Sequence, residues 1–83
     1  GTGAGGPTAA QISDRRLKKN INLIGESSSG LNIYSFKYID NKHGEGTYQG
    51  VMSDEIPSYA VSVSPDGYDH VDYSKIDVNF KQI

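Results

Sequence analysis

Residues 13–24, Ser13-Asp14-Arg15-Arg16-Leu17-Lys18-Lys19-Asn20-Ile21-Asn22-Leu23-Ile24, decide how this chain is built. Leu17, Ile21 and Ile24 fall at helical spacing, which fits a short helix capped by Ser13. Ile21 and Leu23 also alternate with Asn20 and Asn22, which fits a strand, so pattern alone leaves both forms open. The same stretch crowds four cations, Arg15, Arg16, Lys18 and Lys19, behind one serine and one carboxylate. It therefore reads in three ways: a nucleic-acid patch, a helix start, or a reactive site.

Upstream lies the glycine-rich segment GTGAGGPTAA, which holds no large apolar side chain. Such a segment cannot bury enough surface to offset its ordering entropy. Residues 1–12 are read as a linker or the end of an upstream segment, and residues 13–83 as the folded unit. Gly1 to Gly6 match G-x-G-x-x-G, but a dinucleotide site needs a strand before the glycines and a helix after them. Pro7 follows at once, and a linker explains the glycines better.

Downstream, GESSSG (Gly25 to Gly30) is turn chemistry. In YSFKYI, Tyr34, Phe36 and Tyr38 alternate with Ser35 and Lys37, which predicts a strand. The polar turn DNKHGEG leads to TYQGVM, its hairpin partner. SDEIPS predicts one helical turn capped by Ser53 and stopped near Pro57. YAVSVS and YDHVDY form a second hairpin around Pro65-Asp66-Gly67. Ile76, Phe80 and Ile83 stand at i, i+4 and i+7, which predicts a C-terminal helix. The expected fold is thus α+β: a small antiparallel sheet of two hairpins, short helices and a C-terminal helix.

The chain has 83 residues, no cysteine and a net charge of −2. A core this small is marginal alone, and without disulfides an oligomer is the remaining staple. The charge argues against a general nucleic-acid binder, because Asp66, Asp69, Asp72 and Asp77 offset the basic cluster. No apolar run approaches membrane-spanning length. The chain does not begin with Met, which fits a piece of a longer one.

His43 and His70 are the only histidines, and a Ser-His-Asp triad rests on geometry that sequence does not supply. They are read as surface residues. The aspartates of SPDGYDHVDYS lack the spacing of a calcium loop, and a turn held by Asp66 and Gly67 accounts for them. The six tyrosines are read as core cover rather than as a stacking platform. No cofactor or metal is expected. Ser13 has two readings: a helix N-cap before a solvated basic face, or a Ser–Lys dyad with Lys18. A serine hydroxyl needs a base, and a lysine serves only if its pKa falls well below its ordinary value. Like charges and burial both push a lysine down, and the flanking Arg15, Arg16 and Lys19 make the like-charge cause available to Lys18. Five residues separate the pair, so neither a regular helix nor a strand brings them together. A bend, or a lysine from a neighbouring chain, is required.

Ser13-Asp14-x-Arg16-Leu17-Lys18-x-Asn20-Ile21 resembles the opening signature of the endosialidase-type intramolecular chaperone family, autoprocessing C-terminal domains of phage tail spikes and fibres. YQGVMSDEI resembles its Gly-hydrophobic-hydrophobic-Ala-Gln-Glu block through Gly50, Val51, Met52 and Glu55. DGYDHVDYSKI resembles its Asp-Gly-Tyr and Val-Asp-Tyr-Ser-Lys block. The resemblance implies a homotrimer that registers three copies of an upstream fibre segment of the same polypeptide, in the host cytoplasm during virion assembly. It then releases itself from the fibre. The resemblance places the nucleophile on Ser13 and its base on Lys18, with Asp14 next in the motif, orienting Lys18 or stabilising the motif. Either Ile12–Ser13 or Ser13–Asp14 is the bond to be cut. The alternative is a non-catalytic trimerisation cap or host-binding tip. Three departures stand out: Ser53 and Asp54 replace Ala and Gln, the Asp40 to Gly46 turn is short, and the sequence stops at Ile83, where many members of the family it resembles continue into a long coiled-coil helix.

Overall fold

A computed structural model describes residues 10–83. The glycine-rich G-x-G-x-x-G match and most of the expected linker lie outside the described residues. Seven strands form two antiparallel sheets: β1 (Ala10–Ile12), β2 (Lys18–Glu26), β3 (Asn32–Tyr38), β4 (Tyr48–Gly50), β5 (Val61–Val63), β6 (Asp69–Asp72) and β7 (Lys81–Gln82). One sheet runs β1-β6-β5 and the other β2-β3-β4-β7. Short 3₁₀ turns at Arg15–Leu17, Asn41–His43, Ser53–Glu55, Ser58–Ala60 and Tyr73–Lys75 join them.

Both expected hairpins form. β3 pairs with β4 through Phe36 and Tyr48, and β5 pairs with β6 through Val61 and Val71. Gly67 takes a left-handed φ of 86° in the turn between the latter two, and Asp66 accepts from the Tyr68 N–H. The α+β expectation is corrected. The described residues contain no α-helix, and the fold is two small sheets with single 3₁₀ turns.

The C-terminal helix is also replaced. Ile76, Val78 and Phe80 turn inward while Asp77, Asn79 and Lys81 are exposed, the two-residue period of extended chain. Asp77 reaches back to the Ser29 hydroxyl and N–H at 2.8 and 2.9 Å. Gln82 and Lys81 pair with Tyr48 and Gln49 of β4. Ile83, the third member of the expected helical stripe, is exposed.

The undecided stretch becomes a 3₁₀ turn followed by β2. Its register against β3 shifts between Lys19 and Asn22, and Asn20 there has a positive φ of 54°. Asn tolerates this conformation better than most residues. The irregularity spaces the inward residues Lys18 and Ile21 three apart, where an unbroken strand would space them by two.

The core has two parts. Val51, Val71, Tyr73 and Val78 form one; Phe36, Tyr38 and Met52 form the other, and Phe80 packs against both. Aromatic rings dominate the second, with Tyr48 stacked on Phe80 at 5.5 Å and Tyr38 edge-on to Phe36 at 5.5 Å. Four of the six tyrosines, Tyr34, Tyr38, Tyr48 and Tyr73, belong to or pack against these clusters. The histidines are half-buried, with His43 against the Tyr38 ring.

Candidate active site

Ser13 and Lys18 lie at the seam between the two core clusters. The chain enters extended at Asp14, makes one 3₁₀ turn over Arg15–Leu17, and leaves extended at Lys18. The chain bends between the two residues, and each side chain meets a partner other than its counterpart. The bend directs both side chains inward, leaving Ser13 0% and Lys18 5% exposed. Ser13 does not cap the turn, as the helix reading expects. Asp14 does, accepting the Arg16 N–H at 2.9 Å.

The Ser13 Oγ lies 2.9 Å from the Tyr73 hydroxyl, which accepts the Val51 N–H at 3.0 Å. On the other side of the same residue, the Val51 carbonyl accepts from Lys18 Nζ at 2.8 Å. Serine and lysine are therefore joined through Val51 and Tyr73, and each holds a partner other than its counterpart. The Lys18 ammonium also sits 4.1 Å from the centre of the Phe36 ring. Burial is the main cause that pushes its pKa from 10.5 down to about 7, followed by the positive charge of Arg15. Burial pushes Tyr73 up, so its phenol stays protonated.

The other cations are dispersed. Arg15 pairs with Asp54 and Glu55 at 3.2 Å. Asp54, where the resemblance has Gln, thus gives Arg15 a carboxylate. Arg16 grips Asp14 with contacts of 2.9 and 2.7 Å and reaches the Gly67 carbonyl. Asp14 also accepts from the Asp69 N–H at 3.0 Å. Its carboxyl is held far below the usual range, chiefly by Arg16. These bonds tie Asp14 to Arg16 and β6, a role in holding the motif together.

The peptide before Ser13 is gripped at both ends. The Tyr38 hydroxyl donates to the Ile12 carbonyl at 3.0 Å, and the Ser13 N–H donates to the Asp69 carbonyl at 3.1 Å. The Ser13 carbonyl accepts from the Ser53 N–H at 3.0 Å. The expected cap at Ser53 is absent: its hydroxyl bonds Asp69 instead, at 2.9 Å. Tyr38 and Tyr73 are the residues that sequence reasoning took only as core cover or motif members. The signal for Tyr73 was its place in the Val71-Asp72-Tyr73-Ser74-Lys75 block.

Gly50 makes room for this arrangement. A Cβ there would meet the Tyr73 hydroxyl at 2.6 Å and the Phe36 and Phe80 rings at 3.2 and 3.3 Å. Gly50→Ala is expected to displace Tyr73 from Ser13 and to cost about 1–3 kcal/mol of stability, as overpacking does. Urea unfolding of the variant measures it.

Ser13 and Lys18 are thus both buried, the one bonded to Tyr73 and the other to the Val51 carbonyl. The family described as chaperone of endosialidase, Peptidase_S74, matches residues 13–61, more than half of the chain. This chain belongs to that family. The comparison with curated proteins found no significant match, and neither did that with solved structures.

Proposed function

We propose that this domain is a trimeric intramolecular chaperone of a phage tail spike or fibre that cuts itself free once, at Ile12–Ser13. The observation that carries the reading is a buried Lys18, its pKa lowered to about 7, linked through Val51 and Tyr73 to a fully buried Ser13. In the reaction, neutral Lys18 Nζ takes the Ser13 Oγ proton as Oγ bonds the Ile12 carbonyl carbon. The bond from that carbon to the Ser13 nitrogen breaks, and Lys18 returns its proton to the leaving amine. The ester so formed is hydrolysed by water, giving an Ile12 carboxylate and a free Ser13 amine and hydroxyl. In the single chain, Ser13 and Lys18 each hold another partner, as expected of a site that engages only on assembly.

The physical use is register. Long intertwined β structures pair slowly and slip easily. A trimeric clamp makes that pairing effectively intramolecular. Its removal then leaves the finished fibre without the nucleus needed for the reverse path. The segment before Ser13 joins fibre to clamp, its last three residues, Ala10–Ile12, pairing with β6 as β1.

The test is expression with an upstream fibre segment, followed by intact mass and sedimentation. A released fragment beginning at Ser13, from a trimeric precursor, is expected. A trimer that folds and stays full length leaves only the passive cap or host-binding tip.

A further inference from the structure

We infer that Tyr38 is a catalytic residue of this self-cleavage, its hydroxyl serving as an oxyanion donor to the Ile12 carbonyl. The inference rests on the proposed reaction at Ile12–Ser13 and adds the group that receives its negative charge. When Ser13 Oγ attacks, the electrons of the Ile12 C=O bond move onto that oxygen. A donor already aimed there stabilises the charge without reorganisation. Tyr38 Oη stands 3.0 Å from this oxygen. The phenol is fixed from several sides. Its ring packs edge-on against Phe36 at 5.5 Å, against Tyr48 at 5.5 Å and against His43 at 5.8 Å. Only 5% of the residue is exposed, so water competes little for the bond.

Its protonation suits the role. Burial raises the Tyr38 pKa, with Tyr73 and Tyr48 adding to it, so the hydroxyl keeps its proton throughout the pH range in which Lys18 loses its own. The two ends of the peptide also match the assignment. The Asp69 carbonyl orients the Ser13 nitrogen, the atom that leaves, while Tyr38 holds the oxygen that becomes charged. The Ile12 carbonyl thus meets a side-chain donor and the Ser13 carbonyl a backbone N–H of Ser53, both at 3.0 Å.

The test follows cleavage of the full chain with its upstream segment after refolding from denaturant, with fragment masses read over time. Tyr38→Phe keeps the ring and removes the donor. It is expected to slow release about 10²–10³-fold, the usual cost of one oxyanion donor, with sedimentation unchanged. Fluorinated tyrosines of graded phenol acidity at position 38 supply a second readout. A stronger hydrogen-bond donor is expected to cleave faster, a trend that packing alone would not produce. Folded Tyr38→Phe cutting at the parent rate, or a slow Tyr38→Phe with a flat fluorotyrosine series, overturns the inference. If Tyr38→Phe does not fold, the fluorotyrosine series decides by the same criterion. Ser13→Ala run alongside separates the two levels: normal cutting there defeats the proposed reaction itself. A block in Ser13→Ala with full-speed Tyr38→Phe defeats only the role of Tyr38.

Discussion

Ser13→Ala gives a folded, uncut precursor, with no fragment beginning at residue 13 at any pH. The substitution removes the only atom that attacks, so no acyl shift is left to measure. The structural cost is small. Tyr73 keeps the Val51 N–H and loses its contact with the Ser13 Oγ, a loss of about 1 kcal/mol. The parent chain, in contrast, is expected to cut faster as pH rises, with half the plateau rate near pH 7. That sign follows from the base. Only the neutral amine accepts the serine proton, and Lys18 loses its charge as pH passes about 7. Cleavage that fades as pH rises through 7, or a Ser13→Ala chain that cuts, would sink the assignment. The variant also supplies the stable background in which every stability measurement on this domain is cleanest.

The sequence disclosed the hairpins and the candidate dyad because both are local. Tyr34, Phe36 and Tyr38 alternate within a few residues, and Ser13 and Lys18 sit inside one motif. Ile76, Phe80 and Ile83 offered a helical stripe, and Ile76, Val78 and Phe80 an extended one. Val78, left out of the stripe, was the residue that distinguished them: it is buried, and Ile83 is not. Tertiary contacts decide such a case. Phe80 is drawn between two core clusters, and Asp77 is held by Ser29. The partners of Ser13 and Lys18 were hidden for the same reason. Tyr73 is 60 residues from Ser13 and Val51 is 33 from Lys18, and no spacing rule spans such gaps. Asp14 was legible as part of the motif. Its bonds to Arg16 and to the Asp69 N–H became visible only when β6 was placed beside it.

In a Ser13→Ala background, Lys18→Met is expected to raise stability at pH 6 and to flatten its dependence on pH. The folded chain holds Lys18 with a pKa of about 7, and the unfolded chain has it near its ordinary 10.5. Between these values the unfolded state binds a proton that the folded state lacks, so stability rises with pH across the window. Below pH 7 the folded chain carries the full cost of a buried ammonium, which from this pKa difference is about 5 kcal/mol. Met matches the length of the lysine stem and packs well beside the Phe36 ring. It leaves the Val51 carbonyl without its donor, which costs about 1–3 kcal/mol. The net gain at pH 6 is then about 2–4 kcal/mol by the same two figures. Burial raises the pKa of Tyr38 and of Tyr73, so unfolding is favoured as their unfolded counterparts ionise near pH 10. The comparison therefore belongs between pH 6 and 9, by urea unfolding of the two chains side by side. A Lys18→Met chain less stable at pH 6, with the same pH slope as its parent, would mean that Lys18 is an ordinary charged lysine. In that event the seam would hold no base for Ser13. A stabilising substitution that also abolishes cutting in the Ser13 background is the signature of a residue kept for chemistry against its effect on folding.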